Sequence, residues 1–142
     1  FTLTGYADRI DRTDDGDILI YDYKTGTPPS VAEQKAFDKQ LLLEAAMIEE
    51  GGFKEIGPAT VARAAYIGLG SKPIERPAPL EDEPPHEVLA KLHALITSYL
   101  SEDQGFTSRR MVKTTDFAGD YDQLARFGEW DATTEPTPED LK

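Results

Sequence analysis

Two aspartates and a lysine stand where strand-forming residues would be expected. Gly5-Tyr6-Ala7-Asp8-Arg9-Ile10-Asp11 and Ile18-Leu19-Ile20-Tyr21-Asp22-Tyr23-Lys24-Thr25-Gly26 are strand-like runs separated by a charged turn. Each run carries an acid against its own apolar pattern. Asp22 and Lys24, two positions apart, project to the same side of a pleated strand. With the turn centred on Asp15, closed by a loop of Asp14, Asp15 and Gly16, Asp8 faces Asp22, Ile10 faces Ile20 and Tyr6 faces Lys24. A slip of one residue would send the two acids to opposite faces. Opposed like charges destabilise a sheet, and a bound divalent cation would remove that penalty. Paired carboxylates suit a hard ion such as Mg²⁺ or Mn²⁺, which completes its shell with water and phosphate oxygens. Such an ion acidifies water and withdraws charge from a phosphodiester. Lys24, on the same face, would orient the attacking water or stabilise the transition-state charge. Asp-x-Lys alone is common by chance; the upstream acid in matching register makes the pattern specific.

The elements that must position these groups follow from the surrounding pattern. Residues 1–11 and 18–25 read as paired strands. Thr27-Pro28-Pro29 breaks the second, and Ser30 with Glu33 forms a capping box. One helix is expected from there to about Glu50, ended by Gly51-Gly52, with Phe37, Leu41, Ala45 and Ile48 facing a core. Gln40 and Glu44 lie one turn apart on an adjoining face, and spacing alone favours a solvated helix edge for them. Residues 60–69 read as a central apolar strand, residues 71–85 as a Pro-rich surface loop. Residues 86–103 read as a second amphipathic helix with Leu89, Leu92, Ile96, Tyr99 and Leu100 inward. His86 and His93 have no carboxylate company and read as surface or packing residues. Residues 106–113 hold the only local cluster of positive charge, Arg109, Arg110 and Lys113, which suits either phosphate contact or a solvated loop. Residues 120–130 suggest a short helix packing Leu124, Phe127 and Trp130 on the domain. Residues 131–142 read as a flexible tail, so that one domain spans 1–130.

The 142 residues are enough for one domain with a real core. No apolar run approaches a membrane span, and no signal-peptide pattern is present; a start in mid-pattern at Phe1 suggests a domain cut from a longer chain. The absence of cysteine excludes disulfides, thiolate metal sites and iron–sulfur ligation within these residues, and a reducing cytoplasm is expected. A net charge of −12 weighs against a free-standing nucleic-acid binder, unless metal ions and partner domains supply positive charge.

The run Gly5-Tyr6-Ala7-Asp8-Arg9-Ile10-Asp11, then Asp22-Tyr23-Lys24-Thr25-Gly26, then Gln40-Leu41-Leu42-Leu43-Glu44, resembles the RecB-type branch of the PD-(D/E)xK nucleases in motif content and order. The resemblance covers residues 3–45. It implies a restriction-endonuclease-like α/β core, a mixed sheet flanked by helices, whose first helix would precede Phe1. It implies that Asp8 and Asp22 bind Mg²⁺ or Mn²⁺ with the Tyr23 carbonyl, that Lys24 is the catalytic lysine, and that Gln40 steadies the site. Glu44 stands where the family motif ends in tyrosine. No iron–sulfur cluster is expected, because the cysteines that hold one in many relatives are missing. The segment from Phe117 to Arg126, with Glu129-Trp130, resembles the C-terminal end of AddB-type helicase-nuclease subunits. That resemblance implies a bacterial cytoplasmic complex with an AddA-like helicase-nuclease subunit, single-stranded DNA at the site, duplex ends as the larger substrate, and a role in double-strand break repair. Arg9, Arg109, Arg110 and Lys113 are the expected DNA contacts. The competing expectation, from a different class, is a non-catalytic binding or structural module that keeps the nuclease fold.

Overall fold

The computed structural model describes residues 1–106, 119–131, 133, 135 and 137. Among them four strands form one mixed sheet in the order β1-β2-β3-β4: β1 (Arg9–Arg12), β2 (Ile18–Lys24), β3 (Val61–Gly68) and β4 (Ile74–Pro77). The β1–β2 and β3–β4 pairs are antiparallel, and β2–β3 is parallel. The parallel step needs a crossover, supplied by α1 (Val31–Ala36) and α2 (Gln40–Glu49); α3 (Pro85–Tyr99) follows β4. This mixed sheet flanked by helices is the α/β architecture that the resemblance implies. The chain divides into two compact units, Phe1–Leu95 and Ile96–Lys142. The whole sheet, α1 and α2 belong to the first.

The hairpin register follows the turn chemistry. Arg9 pairs with Tyr21, Ile10 with Ile20, Asp11 with Leu19 and Arg12 with Ile18. Thr13 N–H donates to the Asp17 carbonyl at 2.9 Å and Gly16 N–H to the Thr13 carbonyl at 3.0 Å. Residues 14–16 are therefore the loop, and Gly16, at φ 95°, takes the left-handed conformation that closes it. The expected strand over residues 1–11 is shorter than the pattern suggests, since residues 1–8 are not strand. The ladder stops because the Tyr23 N–H, which would bond the backbone of the first strand, donates instead to Asp8 Oδ2 at 2.9 Å.

The core of the first unit is built from one face of the sheet and from α2. Ile18, Ile20, Leu41, Ala45, Ile48, Val61, Ala64 and Tyr66 form a buried cluster. β3 is central, with its inner residues packed beneath α2. The capping box at Ser30 is present: Ser30 Oγ accepts the Glu33 N–H at 3.3 Å, and Glu33 Oε2 accepts the Ser30 N–H at 2.8 Å.

Three expectations are corrected. The helix expected from Ser30 to Glu50 is two helices. Phe37 and Asp38 N–H both donate to the Glu33 carbonyl, ending α1, and Phe37 is exposed rather than core. Asp38 and Lys39 are tied elsewhere, Asp38 Oδ1 accepting the Tyr66 hydroxyl at 2.6 Å and Lys39 Nζ meeting Glu83 at 2.5 Å, so the chain resets before α2. Within the expected loop over 71–85, Ile74–Pro77 pairs as an edge strand with every residue exposed. Without a buried face it has no alternation to read, and Pro77 is tolerated at its end, against Ala65. Residues 120–128 form turns rather than a helix, and Leu124 is 82% exposed. There Phe127 and Trp130 meet edge to face at 5.8 Å. The α3 stripe of Leu89, Leu92, Ile96 and Tyr99 is half-buried, Leu100 is exposed, and His86 and His93 lie on the surface. Arg109, Arg110 and Lys113, and part of the expected tail, lie outside the described residues.

Candidate active site

Asp22 comes from the end of β2, on the face that also buries Ile18 and Ile20, and is 4% exposed. A carboxylate so placed needs charged or hydrogen-bonding company. It has both. Lys24, two residues on and therefore on the same face, brings Nζ to 2.8 Å from Asp22 Oδ2. Gln40, the first residue of α2, donates from Nε2 to Asp22 Oδ1 at 2.6 Å and accepts from Lys24 Nζ on its Oε1 at 3.2 Å. The three side chains close a ring of polar contacts. Tyr66, paired across the parallel ladder with Asp22, lies beneath Lys24, whose ammonium sits 5.2 Å from the ring centre. The same Tyr66 hydroxyl holds Asp38, two residues before Gln40. Burial and the Asp38 carboxylate push the Tyr66 hydroxyl well above its usual range, so it stays a donor.

Glu44 belongs to this cluster, contrary to the solvated edge that spacing favours. It is 5% exposed, and its Oε1 accepts from Gln40 Nε2 at 3.1 Å. Burial pushes its carboxyl up, against the Gln40 hydrogen bond; the charges of Asp22 and Asp8 push the same way. The signal that could have found it is the i, i+4 spacing to Gln40. What misdirected the expectation is that α2 is buried on most sides: Leu41, Leu42, Ala45, Ala46 and Ile48 are all enclosed. A polar residue on such a helix faces the interior, not water.

Asp8 is exposed and sits one position beyond the last β1–β2 pair, its Oδ2 anchored on the Tyr23 N–H. It therefore lies at the end of β2 that carries Asp22. Arg9 is also exposed, but its guanidinium pairs with Asp11 at 2.8 Å and approaches the Tyr23 hydroxyl at 3.4 Å. Those partners raise its already high proton affinity.

The residues fit a hard cation. The donors that Asp8, Asp22 and the Tyr23 carbonyl offer are all oxygens, and the buried Asp22 Oδ2 lacks a hydrogen-bond donor. The partner that Asp22 Oδ2 does have is a cation, the Lys24 ammonium. Among the described residues no group of three or more His, Asp or Glu is arranged to hold a metal alone. The site thus suits an ion that takes one or two carboxylates and draws the rest of its shell from water and substrate.

Comparisons with known proteins bear on the family. An uncharacterized protein of Rickettsia felis is 38% identical over 71 residues, 49% of this chain and 8% of that protein. An uncharacterized protein of Rickettsia typhi is 44% identical over 71 residues, 48% of this chain and 8% of that protein. The chain thus matches less than a tenth of the length of these relatives. No solved structure matches it significantly. No described helix is long and apolar enough to cross a membrane. The family model for the PD-(D/E)XK nuclease superfamily matches residues 1–130, which takes in the hairpin, the Asp22–Lys24 pair and the Gln40 helix. With the fold, the acid–lysine strand and the family match in agreement, the chain belongs to the PD-(D/E)XK nuclease superfamily.

Proposed function

We propose that this chain is a divalent-metal-dependent deoxyribonuclease domain that hydrolyses phosphodiester bonds at the Asp22–Lys24–Gln40 cluster. The observation that carries the reading is the Lys24 ammonium held between Asp22 Oδ2 and Gln40 Oε1 at the rim of the sheet. Asp22 and Asp8, with the Tyr23 carbonyl, would hold Mg²⁺ or Mn²⁺, which supplies Lewis acidity and neutralises phosphate charge.

The protein's own groups do the rest. An ammonium has three N–H donors; Lys24 gives one to Gln40 Oε1 and sits as an ion-pair partner beside Asp22 Oδ2, so it keeps donor capacity for a substrate oxygen. Its position is fixed before substrate arrives, so its positive charge meets the developing negative charge without reorganisation. Gln40 holds Asp22 and Lys24 at a set separation. Asp8, tethered to the β2 backbone, adds a second carboxylate at the open end of the strand.

The finer reading rests on the C-terminal resemblance: an AddAB-type helicase-nuclease in double-strand break repair, with an AddA-like partner presenting single strands unwound from duplex ends. The acidity of the chain supports that division of labour, since a body of net charge −12 would rely on partner surfaces to gather DNA. The same acidity is what favours the alternative, a non-catalytic module that keeps the fold. Labelled single-stranded DNA incubated with the chain in Mn²⁺, in Mg²⁺ and in chelator separates the two. Metal-dependent cutting lost in Asp22→Ala and Lys24→Ala supports hydrolysis at this site. Cutting unchanged in both variants, or no cutting in either metal, sinks it.

A further inference from the structure

Glu44 is a buried carboxyl for which the chemistry above has no use. Its Oε2 has no hydrogen-bond partner, a cost that an apolar side chain of similar size would avoid. Packing alone does not account for it. Its Oε1 contact does.

A glutamine amide is nearly symmetric in shape, and its neighbours decide which end is oxygen and which is nitrogen. The Gln40 NH₂ group has two protons, and two carboxylate oxygens accept them: Asp22 Oδ1 at 2.6 Å and Glu44 Oε1 at 3.1 Å. The carbonyl oxygen is thereby turned to Lys24 Nζ at 3.2 Å. In the reversed orientation a carbonyl would face two carboxylates, and an NH₂ would face an ammonium. Asp22 engages one amide proton and Lys24 the carbonyl oxygen, which leaves the second proton unengaged without Glu44. The second acceptor adds a third contact, so that reversal of the amide would set its carbonyl against two carboxylates rather than one.

We propose that Glu44 is a positioning residue: by accepting the second amide proton of Gln40, it locks the orientation that delivers the carbonyl oxygen to Lys24. Its effect on turnover rests on the reading of this cluster as a phosphodiesterase site; its effect on the amide does not. Glu44 touches no reacting atom. It acts through Gln40, and the ammonium of Lys24 is what it ultimately places.

The test combines side-chain amide NMR with steady-state kinetics on the intact chain and its Glu44→Leu and Glu44→Gln variants. The Gln40 NH₂ pair is identified by its loss in Gln40→Ala. In the native chain both of its protons are protected from exchange. In Glu44→Leu one loses protection, kcat falls roughly 10- to 100-fold as a misplaced catalytic group would cause, KM changes little, and the unfolding midpoint rises. Glu44→Gln, which keeps an acceptor oxygen, restores most of the lost turnover and the protection. Native-like Gln40 signals in Glu44→Leu would overturn the proposal, as would a Glu44→Gln variant as impaired as Glu44→Leu, which would instead assign the role to charge. Cleavage that survives Lys24→Ala is a different failure: it removes the assignment of hydrolysis to this cluster and leaves the amide signals to decide the role of Glu44.

Discussion

Replacing Tyr66 with phenylalanine removes one oxygen from the centre of the fold and keeps the ring. The ring is completely buried, and it supports Lys24 from below. Its hydroxyl donates to Asp38 Oδ1 at 2.6 Å, which ties β3 to the break between α1 and α2. A hydrogen bond to a charged acceptor contributes about 1.5–3 kcal/mol. Asp38 is half-buried, so water can take over part of the lost contact, which argues for the lower end, about 1.5 kcal/mol. For a unit the size of Phe1–Leu95 that corresponds to a fall of roughly 6–12 °C in Tm. Denaturant unfolding of the native chain, Tyr66→Phe, Asp38→Ala and the double variant measures both the loss and the coupling. The two single losses should not add, because each removes the same bond. An unchanged midpoint in Tyr66→Phe, or full additivity in the cycle, would refute the tether and with it the explanation for the broken helix.

Other outcomes follow from the same contacts. An alanine at Gly68 would set its Cβ 2.9 Å from Cδ and 3.0 Å from Cγ of the buried Pro28 ring, so Gly68→Ala should cost about 1–3 kcal/mol by overpacking; a thermal melt within 1 °C or so of the native chain contradicts this. Lys24 occupies Asp22 Oδ2, so Lys24→Ala should bind Mn²⁺ at least as tightly as the native chain, while Asp22→Asn should bind it roughly tenfold or more weakly; calorimetric isotherms that rank the other way reject Asp22 as a ligand. Burial holds the Glu44 proton to higher pH in the folded state than in the unfolded chain. The folded state then binds the extra proton in the window just above the usual carboxylate range, and stability contributed by Glu44 falls as pH rises through it. Unfolding in chelator across that window should show a downward slope in the native chain that Glu44→Gln reduces; parallel profiles would contradict it.

How much of this was legible depended on whether the local pattern and the tertiary environment agreed. The hairpin register was readable because loop length and the alternation of Ile18, Ile20 and Asp22 point the same way, and a one-residue slip would expose both isoleucines. Ser30 and Glu33, and the helix end at Gly51, were readable because caps are local chemistry. The broken helix was not, since the contacts that break it come from Tyr66 and Glu83, distant in sequence. β4 was not, because an edge strand exposed on every residue carries no hydrophobic period. Glu44 fell between the two. Its spacing to Gln40 was visible, yet only the enclosure of α2 shows that their shared face looks into the sheet toward Asp22.

The ammonium placed by Asp22 and Gln40 is expected to take part in phosphodiester hydrolysis. The most direct measurement is the single-turnover rate at which Lys24→Ala cuts single-stranded DNA at saturating Mn²⁺, set beside the native chain. Loss of that ammonium should lower the rate roughly 100-fold or more with Mn²⁺ binding intact. Cutting at the native rate by a folded, metal-loaded Lys24→Ala chain would contradict it.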